Sequence, residues 1–140
     1  MNVLRRGLAS IAITASLALT SFAAWAAPVT QLGFALDASG SVSVANYNLL
    51  RSGLSAALAG LPVDGTVEIS VVTYGTGVAT VVAPTVLTAA SLAGIQSAIN
   101  THAKFGGGTN TAGAITGLTG LLTGSANFAD AGTKSIINLA

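Results

Sequence analysis

The chain has 140 residues, a formal net charge of +1, only 6% charged side chains and no cysteine. The absence of cysteine excludes disulfide bonds and zinc–thiolate sites. Outside the first 26 residues the only Lys and Arg side chains are Arg51, Lys104 and Lys134, so no basic patch is available for electrostatic binding of nucleic acid. The sequence has no internal repeat and no interdomain linker.

The first 26 residues have the pattern of a secretory signal peptide. Arg5 and Arg6 form a positive n-region, residues 7–20 are apolar, and small residues flank Trp25 before the expected cleavage at Ala27. We therefore predict a signal peptide over residues 1–26 and export to the periplasm, the cell surface or the medium. A membrane anchor is the alternative, but the apolar stretch is shorter than the about 20 residues of a span. We expect no stable membrane span after cleavage.

The predicted domain, residues 27–140, opens with an apolar strand that leads into a polar loop. Leu32 to Leu36 is apolar almost throughout, as in a parallel strand covered on both faces. Asp37 ends this strand, and Ser39 and Ser41 follow. Ligands of open parallel sheets bind outside the carboxyl ends of strands, and Mg²⁺ prefers hard oxygen ligands. These three residues are candidate metal ligands, although a simple turn with a helix cap would use the same residue types.

Further helices and strands alternate along the rest of the chain. Apolar residues at helical spacing predict helices, and runs of β-branched residues predict strands. Further elements are expected in this order: a helix over Val44–Ala59 capped by Ser43, a strand over Val67–Tyr74, a strand over Val78–Val82 ended by Pro84, a helix that carries Leu92, Ile95 and Ile99, a helix over Thr111–Leu122 with Ile115, Leu118 and Leu122 facing the core, and a strand over Lys134–Leu139.

The turn between the second and third predicted strands, residues 75–77, is very short. So short a connection allows only an antiparallel hairpin. The sequence therefore predicts an α/β fold with a mainly parallel sheet, one antiparallel edge strand and helices on both faces.

A second polar segment lies before the predicted third helix. Three consecutive glycines, residues 106–108, precede Thr109. Glycine permits backbone conformations and close approaches that side chains block. This segment would thus be able to bring Thr109 to a metal ion that the Asp37 loop holds.

Two motifs resemble those of von Willebrand factor type A domains. Asp37-Ala38-Ser39-Gly40-Ser41 is similar to the D-x-S-x-S motif of the metal-ion-dependent adhesion site, and Gly107-Gly108-Thr109-Asn110-Thr111 is similar to the G-G-T-N-T segment. The resemblance implies a Rossmann-like fold and a bound Mg²⁺, or Mn²⁺ or Ca²⁺. It implies four metal ligands: Asp37, Ser39, Ser41 and Thr109. It also implies adhesion to a protein or other macromolecular ligand that offers an acidic side chain.

The sequence departs from the family pattern at its end. The family places a further Asp just after its fourth strand, whereas this sequence ends at Ala140, next to the predicted strand over residues 134–139. The resemblance therefore implies an amino-terminal part of the domain, truncated at its fourth strand, that binds the cation weakly.

Two other functions remain open. A structural or surface-associated secreted protein would carry a vestigial metal site. A secreted hydrolase would need a nucleophile within reach of a base; His102 is the only histidine, and Ser39 lacks the G-x-S-x-G elbow. We therefore expect no enzymatic activity. The other acids, Asp64, Glu68 and Asp130, are expected to be solvated or locally paired.

Overall fold

A computed structural model describes Pro28, residues 30–128 and residues 132–140. The expected signal peptide and Asp130 lie outside these ranges. The elements are, in chain order, β1 (Thr30–Asp37), α1 (Val44–Leu58), β2 (Asp64–Tyr74), β3 (Val78–Thr88), α2 (Leu92–Thr101), α3 (Thr111–Gly124) and β4 (Lys134–Leu139). No helix within the described ranges combines the length and hydrophobicity needed to cross a membrane.

The four described strands form one mixed sheet in the order β3-β2-β1-β4. β1 pairs in parallel with both β2 and β4, and β3 pairs antiparallel with β2. The predicted α/β fold, with its antiparallel edge strand, is thereby confirmed. Because β1 lies between two parallel neighbours, the loop that follows it emerges from the middle of the sheet. β4 forms the other edge, and all six of its residues are exposed.

Helices cover both faces of the sheet, as the sequence predicted. Successive strand residues point to opposite faces, and the core divides accordingly. On one face Leu36 and Ile69 pack in a cluster with residues of α1 and α2. On the other face Ala35 and Val72 pack with Leu118 of α3. Gly33 lets α3 approach β1, since a Cβ there would lie 2.9 Å from Cγ of Leu118.

Several details differ from the sequence predictions, and β2 begins at Asp64 rather than at Val67. β3 continues past Pro84 to Thr88, because register irregularities interrupt its pairing with β2 and an edge strand tolerates proline at such places. Ile115 is 41% exposed, so its predicted core position is wrong. The buried stripe of α3 runs instead through Ala114, Leu118 and Leu122, which recur every four residues.

Glu68 is buried rather than solvated, with 2% of its surface exposed. Its Oε1 accepts a hydrogen bond from Gln31 Nε2 at 2.7 Å, and its Oε2 accepts from Ser125 Oγ at 2.9 Å and from Asn127 Nδ2. Gln31 of β1 is the register partner of Glu68 on β2. Its Oε1 accepts a hydrogen bond from Ser135 Oγ of β4 at 2.6 Å. Glu68 therefore joins three strands to the segment after α3, a pairing with residues distant in sequence that local reasoning did not anticipate.

Candidate metal site

Backbone hydrogen bonds to the ends of the β4 and β2 segments hold the start of the loop that follows β1. The backbone N–H of Asp37 donates to the carbonyl of Ala140 at 2.7 Å, and the N–H of Ala38 donates to that of Tyr74 at 2.6 Å. Ser43 then caps α1, because its side chain accepts a bond from the N–H of Asn46 at 3.1 Å. The loop is therefore anchored at the strand and at the helix.

Within this loop the three sequence-predicted ligands lie together. Asp37 Oδ1 accepts a bond from the backbone N–H of Ser39 at 2.7 Å. The hydroxyl oxygens of Ser39 and Ser41 are 3.0 Å apart and share a hydrogen bond. Ser39 is fully buried, whereas Asp37 is partly exposed and Ser41 is exposed. One carboxylate and two hydroxyls thus lie close together, with Ser39 beneath the surface and Asp37 and Ser41 reaching it.

The glycine segment, residues 106–108, packs directly on this loop. The N–H of Gly106 donates to the carbonyl of Ala38 at 2.7 Å, and the N–H of Gly40 donates to the carbonyl of Gly107 at 2.8 Å. Gly106 and Gly107 have φ values of 84° and 74°, which side-chain-bearing residues rarely adopt. These two hydrogen bonds join loops that are far apart in sequence.

The turn between β2 and β3, residues 75–77, also contacts the glycine segment. The sequence did not predict this contact. The N–H of Gly108 donates to Thr76 Oγ1 at 2.9 Å, and the N–H of Asn110 donates to the carbonyl of Gly75 at 2.8 Å. Asn110 also caps α3 by accepting a bond from the N–H of Gly113 at 2.9 Å. Thr109 lies between two residues that this turn fixes.

Thr109 itself is exposed, on the loop that adjoins Asp37. Among the described contacts, no hydrogen bond joins its hydroxyl to Asp37, Ser39 or Ser41. The structure therefore brings the first three predicted ligands together and places the fourth on a neighbouring loop.

Two further side chains border the site. Burial raises the pKa of the Tyr74 hydroxyl above its usual value, and the negative charge of Asp37 acts in the same direction. Lys104 Nζ donates to the carbonyl of Ser39 at 2.5 Å. Lys104 is the only lysine or arginine in the loop that carries the glycines, and this was the one feature of the sequence that could have indicated its place near the site.

The oxygens of this site fit a hard divalent cation. Within the described residues, no three His, Cys, Asp or Glu side chains converge as a metal-binding group. A site with one carboxylate and hydroxyl oxygens is suited to Mg²⁺, which usually keeps several of its waters. It offers none of the nitrogen or sulfur ligands that softer transition metals prefer.

Comparison with known proteins identifies the family of the sequence. A sequence model described as "von Willebrand factor type A domain" matches residues 32–138. No curated protein matches the sequence significantly.

Solved structures share the fold at low sequence identity. The hypothetical protein BatB from Bacteroides thetaiotaomicron is 14% identical with a TM-score of 0.64; the match covers 79% of this chain and 52% of BatB. Proximal thread matrix protein 1 from the mussel byssus, described with a zinc-occupied MIDAS motif, is 20% identical with a TM-score of 0.60. The match covers 81% of this chain and 28% of that protein. The pilus adhesin SpaC from Lactobacillus rhamnosus GG is 18% identical with a TM-score of 0.63. The match covers 80% of this chain and 14% of SpaC. This chain thus spans about half or less of each.

Proposed function

Since the chain belongs to the von Willebrand factor type A domain family, we propose that it is a divalent-metal-dependent binding module rather than an enzyme. One observation carries the proposal: two backbone hydrogen bonds, of 2.7 and 2.8 Å, join the loop that carries Asp37 to the loop that carries Thr109. This junction is what a shared site on two distant segments requires.

The proposed ligand set is Asp37, Ser39, Ser41 and Thr109. Asp37 would supply the single carboxylate and the other three would supply hydroxyl oxygens, directly or through water. When bound, the cation supplies a concentrated positive charge at the surface of the domain. One carboxylate does not neutralise a divalent ion, and Mg²⁺ is often bound by protein and ligand oxygens together. We therefore propose that an acidic side chain of a protein or surface ligand completes the coordination.

Similar structures support this function at a coarse level. One is described as having a zinc-occupied MIDAS motif, and another is described as a pilus adhesin. Both descriptions concern longer proteins. A binding role outside the cytoplasm would also suit the signal-peptide pattern of residues 1–26, and we propose export on that basis.

Calorimetric titration with Mg²⁺ and Mn²⁺ tests the proposal. Asp37→Ala should weaken cation binding by at least about tenfold, because it removes the only carboxylate of the site. The matched control is Asp64→Ala: Asp64 is exposed at the start of β2, where it accepts hydrogen bonds from Thr66, so this variant should bind like the unaltered chain. Equal binding by both variants, or no binding by the unaltered chain, would contradict the proposal, and the second result would favour a structural role.

A further inference from the structure

Lys104 places a positive charge beside the candidate metal site. Its ammonium group donates to the carbonyl of Ser39 at 2.5 Å, across 65 positions of sequence. The N–H of the same Ser39 donates to Asp37 Oδ1 at 2.7 Å. Because the N and O atoms of one residue are at most about 3.6 Å apart, Lys104 Nζ lies within about 9 Å of that carboxylate oxygen.

The contact ties together the two loops of the site. The carbonyl of the fully buried Ser39 accepts the N–H of Val42 at 3.2 Å, and Lys104 is a second donor to the same oxygen. A charged donor makes this bond stronger than a neutral one. Lys104 therefore helps to hold the Asp37 loop in the geometry described above.

The ammonium group also changes the charge balance of the site. Asp37 contributes one negative charge and Lys104 one positive charge, and His102 is the remaining titratable side chain of the 102–110 loop. Burial and the charge of Arg51 lower the pKa of His102, which keeps it neutral near pH 7. The charge of Lys104 therefore opposes that of Asp37, and Arg51, which donates to the carbonyl of His102 at 2.5 Å, adds a second positive charge at the start of this loop. A divalent cation at the site would meet repulsion from the like charge of Lys104.

We propose that Lys104 is a positioning residue that holds the Asp37 loop through the Ser39 carbonyl and opposes a cation at the site electrostatically. This inference rests on the metal binding proposed above. It predicts opposite effects of removing the charge: the metal-free protein becomes less stable, and the cation binds more tightly. A purely structural role would weaken both properties together.

The test compares Mn²⁺ affinity and the Tm in excess chelator for the full chain and four variants. Lys104→Met should bind Mn²⁺ about five- to tenfold more tightly, as expected for charges several ångströms apart near a surface, and should have a lower Tm in chelator. Lys104→Gln, which keeps an N–H donor, should also bind more tightly with a smaller loss of Tm. Lys104→Arg keeps the charge and should match the unaltered chain. Lys134→Met removes the same charge at the start of β4, the opposite end of the parallel strands, and should leave the affinity unchanged.

The salt dependence of Mn²⁺ affinity tests separately whether the effect of Lys104 is electrostatic. The difference in affinity between Lys104→Met and the unaltered chain should shrink to about twofold at 1 M salt, where the Debye length is about 3 Å. Unchanged or weaker Mn²⁺ binding by both Lys104→Met and Lys104→Gln would overturn the inference while leaving Asp37-dependent binding intact. Failure of the unaltered chain to bind Mn²⁺ would instead overturn the proposed function itself.

Discussion

Two carboxylates of this domain, Asp37 and Glu68, lie on neighbouring strands yet have opposite environments. Glu68 has 2% exposure, and three side-chain donors occupy both of its oxygens. Asp37 is partly exposed at the carboxyl end of β1, where one of its oxygens accepts a backbone N–H at 2.7 Å. Among the described contacts, no donor occupies its second oxygen.

The difference shows that position in the sheet decides whether an acid is occupied by internal donors or keeps an oxygen without one. A buried carboxylate must be fully hydrogen-bonded, because an unpaired buried charge is very costly. The three donors around Glu68 occupy both of its carboxylate oxygens, so neither oxygen is available to a ligand. Asp37 lies at the carboxyl end of the inner strand β1, where ligands of such sheets bind, and among the described contacts only one of its oxygens has a donor.

The largest expected effect is on stability at Glu68. Glu68→Ala would leave Gln31, Ser125 and Asn127 with donors that have lost a buried acceptor. We expect the free energy of unfolding to fall by about 3–5 kcal/mol, since each buried donor left unpaired costs about 1–3 kcal/mol and some will rehydrate. Urea denaturation at pH 7 measures the change.

Asp37→Ala is the matched comparison for that experiment. It removes one side-chain acceptor at a partly exposed position, so the free energy of unfolding should fall by about 1 kcal/mol or less. Similar losses of stability for the two variants would show that the contrast between the two acids is wrong.

An intermediate effect is expected at Gly107, whose carbonyl accepts a hydrogen bond from the N–H of Gly40 in the Asp37 loop. An added Cβ would lie 2.0 Å from Thr76 Oγ1, and the residue has a φ of 74°. Gly107→Ala should lower the free energy of unfolding by about 2–3 kcal/mol, the combined cost of a left-handed non-glycine residue and a displaced hydrogen bond. It should also weaken cation binding.

Gly94→Ala is the control for Gly107. Gly94 lies in the first turn of α2, where a Cβ would meet nothing within 4 Å. Helix propensity then predicts a gain of about 0.8–1 kcal/mol in the free energy of unfolding. If both substitutions changed stability and cation affinity alike, the glycine segment would have no special role.

The smallest effect concerns the pH dependence set by His102, at the end of α2. Burial, together with the charge of Arg51, lowers its pKa below the ordinary 6.5. The unfolded chain therefore binds the proton more tightly than the folded one, so stability is level above pH 6.5 and falls as the pH drops toward the lower folded-state pKa. Thermal unfolding between pH 8 and 5 measures the slope.

His102→Gln isolates this contribution to the slope. The variant removes the titratable ring, so its stability should change less between pH 6.5 and 5 than that of the unaltered chain. An identical slope for both chains would show that His102 does not titrate differently on folding.

Local sequence patterns were sufficient to predict most of the fold. The apolar spacing of the helices and the β-branched runs gave the order of elements, and the short turn at residues 75–77 required the antiparallel hairpin. Ile115 was misplaced because the glycine-rich α3 offers two overlapping apolar stripes, and only packing against β1 and β2 selects the one through Leu118.

Contacts between distant segments could not be predicted in the same way. The partners of Glu68 lie 37 to 59 positions away, and Lys104 reaches Ser39 across 65 positions. No local periodicity encodes such pairs. The oxygen set around Asp37 was predictable because its three members lie within five residues and form a motif.

The most direct test of the central claim is whether one cation senses both loops at once. In an NMR titration of the chain with substoichiometric Mn²⁺, the backbone amides of Ser39, Ser41 and Thr109 should broaden together, while that of Glu68 in the sheet interior broadens much less. Asp37→Ala should abolish the effect on all three. Broadening at Ser39 and Ser41 with a sharp Thr109 signal would contradict a site shared by the two loops.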